Sequence, residues 1–192
     1  VVPSVKVQIA YYEMYGVPGL KAFEETLRYA SEKGLIVIAD AKRNDIGSTA
    51  ACYSTAFLGE TSVEGMRFRA FPADYVTVNG YLGTDGIQPF VKDCAEKDRG
   101  IFVLVKTSNP SSGELQNRLF DDGTPVYEYM GALVEKWGAG TEGRYGYSAV
   151  GAVVGATHPE EAARLRKLLP HTVFLIPGYG AQGANAEMLR CC

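Results

Sequence analysis

What the chain lacks narrows its class before any motif is read. No apolar run approaches the roughly 18 residues that a membrane span needs, and the opening stretch VVPSVKVQIAYYEMYG has neither a charged leader nor a cleavage site. A cytoplasmic protein is the expectation. Basic residues are not in excess: 19 Lys and Arg stand against 22 Asp and Glu, a formal net charge of -3, and they are scattered. The broad positive face that duplex nucleic acid demands is missing, so no nucleic-acid or membrane partner is expected. Histidine is scarce, with only His158 and His171, and Cys52, Cys94, Cys191 and Cys192 lack metal-ligand spacing. A zinc site would be short of ligands, and the thiols read as reduced and structural. Repeats at a solenoid period and low-complexity segments are missing too.

What is present is alternation. With 192 residues, 46% of them hydrophobic and 21% charged, the chain is long enough to bury a core and reads as one globular domain. Six short, β-branched apolar runs read as strands: SVKVQIA (4–10), LIVIADA (35–41), DYVTVNG (74–80), GIFVLVK (100–106), AVGAVVGA (149–156) and TVFLIPG (172–178). Helical spacing lies between them. In 17–34, Leu20, Phe23, Leu27 and Ala30 share a face before the stop at Gly34, and further helices are predicted at 47–59, 85–97, 124–138, 159–168 and 183–190. Strands apolar on both faces and separated by helices belong to a parallel sheet, hence an α/β fold, either open and doubly wound or closed as a (β/α)8 TIM barrel.

The strand ends favour the barrel. Polar residues close almost every strand: Lys6 and Gln8, Asp40 and Lys42, Asn79, Lys106 to Ser108, Thr157 and His158, Tyr179 and Gln182. A barrel gathers all such ends on one rim, whereas an open sheet serves its ligand mainly from one crevice. A closed barrel needs eight units and six are visible, so either two are disguised or the chain is a segment of a longer one.

The stretch VIADAKRNDIGSTA (37–50) delivers charge to one of these ends. Asp40 and Lys42, two apart on a strand, share a face, and Asp45 lies beyond the turn where the next helix begins. Their plain reading is an ion pair closing a strand, with Asp45 as a helix cap. Lys6 weakens that reading, because it leaves the preceding strand in matching position. Alternating ammonium and carboxylate groups suit proton handling better than a stabilising bridge.

At these residues the sequence resembles a family. DAKRNDIGSTA resembles the Asp-x-Lys-x-x-Asp-Ile signature of the bacterial-type orotidine 5′-phosphate decarboxylases, and SVKVQIAYYEMYG is similar to the strand carrying that family's other catalytic lysine. VKTSNPSSGELQ (105–116) resembles the segment whose serine contacts the pyrimidine, and IPGYGAQGA (176–184) the loop whose glutamine reaches the nucleotide. Four segments in order cover essentially the whole chain. The family also has a first strand with a ribose-binding aspartate and a last strand with a phosphate-binding arginine, which this sequence does not contain. The resemblance therefore implies a single (β/α)8 barrel domain over 1–192 lacking its first and last units, in a chain shorter than the native polypeptide.

It also implies a reaction: decarboxylation of orotidine 5′-phosphate to uridine 5′-phosphate and CO2 in pyrimidine biosynthesis, with no metal and no organic cofactor. Lys42 would protonate a ring carbanion, Asp40 would face the departing carboxylate, and Lys6 would hold Asp40 ionised and reach the ribose. Asp45 and Thr49 would cross to the partner's site in a homodimer. Ser108 would contact the pyrimidine, Gln182 the phosphate or pyrimidine side of a closing loop, and Gly180 beside it would let the backbone approach phosphate. Metal-dependent sugar-phosphate relatives place a carboxylate near the position of Lys6, so a lysine there argues against them. A nucleotide-binding relative without chemistry is the non-enzyme alternative. Elsewhere the residues read blandly. Tyr11, Tyr12 and Tyr15 are expected to pack a helix, Trp137 to pack, His158 to open a helix and His171 to sit in a surface turn. Residues 58–74, with Arg67 and Arg69, read as a long connection without an assigned role.

Overall fold

The computed structural model of the protein describes residues 2–178, 185–187 and 190. It divides into two compact units, Val1–Ile101 and Phe102–Cys192. In the first, strands β1 (Ser4–Gln8), β2 (Ile36–Arg43) and β5 (Tyr75–Val78) lie side by side in parallel, in that order. Parallel neighbours need a crossover, and helices supply it: α1 (Ala10–Glu13) and α2 (Gly16–Glu32) before β2, α3 (Gly47–Phe57) before β5. A hairpin of β3 (Thr61–Val63) and β4 (Met66–Phe68) follows α3, and α4 (Thr84–Lys97) follows β5. The division falls within β6 (Gly100–Lys106). The second unit continues with α5 (Gly113–Gln116), α6 (Val126–Gly138), β7 (Val150–Val154), α7 (Pro159–Leu168) and β8 (Phe174–Leu175), and β7 and β8 pair in parallel. The α/β class with parallel strands is as expected. Among the described residues, no helix is long and apolar enough to cross a membrane.

The core of the first unit explains why these segments fold as they do. Phe23 and Leu27 of α2 are fully buried, as their helical spacing predicts, and Phe23 stands edge-on to Tyr12 at 5.3 Å and to Phe71 at 5.5 Å. Strand β2 buries Val37 and Ala39 completely, and Val76 and Val78 of β5 are equally inaccessible, as strands covered on both faces require. In the second unit Gly151 admits the Phe102 ring to within 2.5 Å of where a Cβ would stand. Trp137 is 7% exposed and packs as expected.

Several expectations need correction. Of the three tyrosines near the start, only Tyr12 packs. Tyr11 is 73% exposed, because α1 is a single turn and offers the core one face, and Tyr15, just ahead of α2, is 68% exposed. Residues 58–74 are not a plain connection, since they contain the β3–β4 hairpin. Its two-residue loop has Glu64 at φ 49° and Gly65 at φ 83°, both in the left-handed region that matches the twist of a tight hairpin. The last strand is shorter than 172–178. Arg166 Nη2 takes the Thr172 carbonyl at 2.8 Å and Thr172 Oγ1 donates to Glu135 at 2.6 Å, so regular pairing begins only at Phe174. Of the helix predicted at 183–190, residues 183, 184, 188 and 189 lie outside the described residues, as do Cys191 and Cys192, and the described residues 185–187 are not helical. Of the remaining cysteines, Cys52 is exposed and Cys94 is buried, and burial pushes the Cys94 thiol up to about 12.

Phe23→Ala removes the ring on which the aromatic cluster rests. Its expected cost is about 3–5 kcal/mol, read as a lower urea midpoint with an unchanged m-value.

Candidate active site

The site begins with an irregularity in β2. Ala39 pairs with Val76 and Arg43 with Val78, so four steps along β2 match two along β5. The surplus is a bulge that contains Asp40, Ala41 and Lys42. Lys42 takes φ 49°, a left-handed conformation that disfavours a side chain, costs on the order of 1–3 kcal/mol and persists only where the surroundings enforce it. They do so from both sides. Thr77 Oγ1 of β5 accepts from Ala41 N at 3.0 Å and from Lys42 N at 2.9 Å, and Arg43 Nη1 donates to the Ala41 carbonyl at 3.3 Å. Arg43 is itself anchored by Glu13 at 2.6 Å and lies over the Tyr53 and Phe57 rings at 5.7 and 5.8 Å. The spacing rule that put Asp40 and Lys42 on one face is fulfilled through this bulge rather than through a regular pleat.

The bulge brings three charges together. Lys42 Nζ donates to Asp40 Oδ1 at 2.5 Å, and Lys6 Nζ donates to Oδ2 at 2.6 Å. Lys6 pairs in register with Ile38, so its side chain reaches diagonally across to Asp40, as a long side chain on a neighbouring strand does. Thr77 Oγ1 adds a third donor to Oδ1 at 2.9 Å. The Asp40 side chain is 8% exposed, whereas those of Lys6 and Lys42 are 34% and 44% exposed. A buried anion therefore carries two cations that face outward. Burial alone would raise the Asp40 carboxyl, but hydrogen bonds and charge from Lys42 and Lys6 outweigh it and hold the group below its ordinary value. Asp40 is thus a fixed carboxylate beside two available ammonium groups.

Asp45 and Thr49 follow the bulge in the chain. Asp45 does not cap α3. The helix starts at Gly47 with Ile46 in the cap position, and Asp45 Oδ1 accepts from Ile46 N at 2.8 Å, one residue too early to cap. Thr49 is exposed in the first turn of α3. Ser108 belongs to the second unit, in a loop closed by side chains: Thr107 N donates to Gln116 Oε1 at 3.0 Å, Gln116 Nε2 to Thr107 Oγ1 at 2.8 Å, and Lys106 Nζ to Asn117 Oδ1 at 2.5 Å. Lys106 is wholly buried, 5.3 Å from the Tyr127 ring centre, so it serves this loop. Thr157 Oγ1 donates to the Ser108 carbonyl at 3.3 Å, and Gly155 leaves room for the Ser108 backbone. Gln182 and Gly180 lie outside the described residues. His158 stands at the head of α7, as expected, and His171 is exposed with Nδ1 donating to the Gly146 carbonyl at 3.0 Å. Among the described residues no three His, Cys, Asp or Glu side chains gather as a metal site requires.

Thr77 is the site residue that sequence reasoning missed. Within DYVTVNG it reads as one more β-branched strand residue. The available signal was its hydroxyl, because a polar group in a strand buried on both faces must find partners.

The chain is similar to known proteins. The family model described as orotidine 5′-phosphate decarboxylase / HUMPS family matches residues 2–189. A protein of Caldicellulosiruptor bescii named orotidine 5′-phosphate decarboxylase is 49% identical over 189 residues, which cover 98% of this chain and 62% of that protein. One of the same name from Rhodopirellula baltica is 46% identical over 98% of this chain and 61% of its own length. The chain thus spans a little over three fifths of the curated relatives it matches. Among solved structures, Leishmania donovani OMP decarboxylase aligns with TM-score 0.76 and 35% identity over 92% of this chain and 62% of that one. Leishmania donovani UMP synthase aligns with TM-score 0.79 and 36% identity over 96% of this chain and 37% of that one. With residues 2–189 matched by the family model, the chain belongs to the orotidine 5′-phosphate decarboxylase / HUMPS family.

Proposed function

We propose that the protein decarboxylates orotidine 5′-phosphate to uridine 5′-phosphate and CO2, in pyrimidine biosynthesis, with no metal and no organic cofactor. The observation that carries this reading is the buried Asp40 carboxylate held between two outward-facing ammonium groups at the end of a parallel strand. The curated relatives' names support it. In the reaction the bond between the ring carbon and the substrate carboxylate breaks, CO2 departs, and the electron pair stays on the ring carbon. The Lys42 ammonium lies where that charge develops, stabilises it and passes it a proton. Solvent then reprotonates the Lys42 amine.

Asp40 faces the departing carboxylate in this reading. Two negative charges about 4 Å apart repel by roughly 4 kcal/mol at an effective dielectric of 20, worth about a thousandfold in rate if relieved in the transition state. The remainder comes from carbanion stabilisation and from phosphate binding that closes the site. Lys6 keeps Asp40 ionised and reaches the ribose, Ser108 contacts the pyrimidine, and Gln182 with Gly180 meets the nucleotide from its loop. A lysine at position 6, where a metal-dependent sugar-phosphate enzyme would need a carboxylate, disfavours that relative.

The same reading takes the parallel strands as parts of one (β/α)8 barrel domain, and Asp45 and Thr49 as contributions to the partner's site in a homodimer. The dimer is supported by an open groove of about 700 Å³ bordered by Ile46, Ala51 and Pro89 together with Asp85, Gln88 and Lys92, with Ile46 53% exposed. A second copy bringing apolar groups, with polar ones to match Asp85 and Lys92, would cover it.

Three outcomes are expected. Ultraviolet absorbance should show the protein consuming orotidine 5′-phosphate in EDTA while Lys42→Ala is slower by at least about a thousandfold; activity abolished by EDTA would instead point to the metal-dependent relatives, and tight binding without turnover to a non-enzyme. Since the folded Asp40 carboxyl is held low, it adds stability above its unfolded value, and this is lost as pH falls through the folded value. The difference in urea midpoint between the parent and Asp40→Asn should therefore shrink on acidification. Gly155→Ala places a Cβ 2.8 Å from Ser108 N and should raise KM about tenfold at near-constant kcat, the sign of lost uniform binding.

A further inference from the structure

Thr77 is fully inaccessible to solvent, yet its hydroxyl has every bond it is able to make. A hydroxyl has one hydrogen and two acceptor positions. Ala41 N and Lys42 N donate to it, so both acceptor positions are taken and its own hydrogen is left for Asp40 Oδ1. The direction of that bond is settled by the other two: Thr77 donates to the carboxylate. At zero exposure no solvent molecule replaces a lost partner.

We propose that Thr77 is a positioning residue of this site: its saturated hydroxyl holds the β2 bulge that aims the Lys42 ammonium, and clamps Asp40 Oδ1 in place. The proposal rests on the decarboxylase reading for its catalytic consequence, but not for its geometry. Among the described residues, the charged groups facing Asp40 are Lys6 from β1 and Lys42 from β2, while β5 contributes the neutral Thr77. That neutrality gives the hydroxyl a distinct part. When Lys42 passes its proton to the carbanion, its attraction for Asp40 weakens, and Thr77 and Lys6 remain to hold the carboxylate ionised and oriented. Because Lys42 and Thr77 share Oδ1 while Lys6 takes Oδ2, rotation of the carboxylate would break all three contacts together. The left-handed backbone of Lys42 depends on the Thr77 hydroxyl, which accepts from Lys42 N at 2.9 Å.

The test uses the full protein with Thr77→Val, which keeps the shape without the hydroxyl, and Thr77→Ser, which keeps the hydroxyl. Thr77→Val should lower kcat about a hundredfold, as a misplaced catalytic group does, with KM within about threefold of the parent and the acidic limb of the rate profile moved to higher pH. Thr77→Ser should restore both. In parallel, the Asp40 carboxyl carbon is titrated by 13C NMR without substrate. Its midpoint should rise in Thr77→Val and return in Thr77→Ser. Parent-like kcat and acidic limb in Thr77→Val, an unmoved Asp40 midpoint, or failure of Thr77→Ser to rescue would each overturn the proposal. If the parent does not turn over the substrate, the decarboxylase reading fails while the titration still decides the role of Thr77. Should Thr77→Val not fold, Thr77→Cys, a weak hydrogen-bonding side chain of similar size, carries the same expectations with smaller amplitude, and parent-like behaviour there overturns the proposal equally.

Discussion

A carboxylate inside a protein must be matched by donors or it neutralises itself, and the geometry around Asp40 follows from that requirement. Its two oxygens take three donors from three strands: Lys6 from β1, Lys42 from β2 and Thr77 from β5. Removing one ammonium would leave buried charge poorly compensated, which is why such clusters cost stability when broken and do little for it when whole. A cluster with that balance is better explained by what it does to a ligand than by what it does for the fold. The exposure pattern agrees, since the anion is buried and both cations are accessible.

The scaffold converts this local demand into a rigid arrangement. The bulge in β2 is held on one side by Thr77 and on the other by Arg43, whose guanidinium is pinned by Glu13 and two aromatic rings. At the opposite end of the same strand, Asp74 accepts from Val37 N at 2.9 Å and from Arg99 Nη1 at 2.9 Å, fixing how β2 enters the sheet. Behind the strands Ser54 Oγ donates to Asp93 at 2.5 Å and ties α3 to α4. Left-handed backbone at a lysine survives only in such over-determined surroundings. The strain at Lys42 is a cost located where the chemistry is, and the packing of the first unit is what offsets it.

Much of the architecture is legible in the sequence. Runs such as LIVIADA and GIFVLVK are too short and too β-branched for helices, and the turns between them carry the residues that stop each element. Their order therefore reads as α/β with little ambiguity. The hairpin within 58–74 was less visible, because its strands are three residues each and the pattern that marks it is confined to Glu64 and Gly65. The short helix α1 escaped for a similar reason: one turn has no period to detect. Asp45 shows the opposite error, in which a residue of the right type stood one position from where a cap would have to be.

By itself, the sequence determined the succession of elements and the gathering of Asp40, Lys42 and Lys6 near strand ends, because strand periodicity and the charge types are properties of neighbouring residues. Only the tertiary structure decided that Lys42 would be left-handed, that four steps of β2 would match two of β5, and that Thr77, an unremarked strand residue, would complete the carboxylate's partners. The physical reason is that hydrogen-bond saturation of a buried group is set by residues far apart in the chain. Asp40 and Thr77 are separated by 37 positions, and no local pattern records that their strands lie side by side.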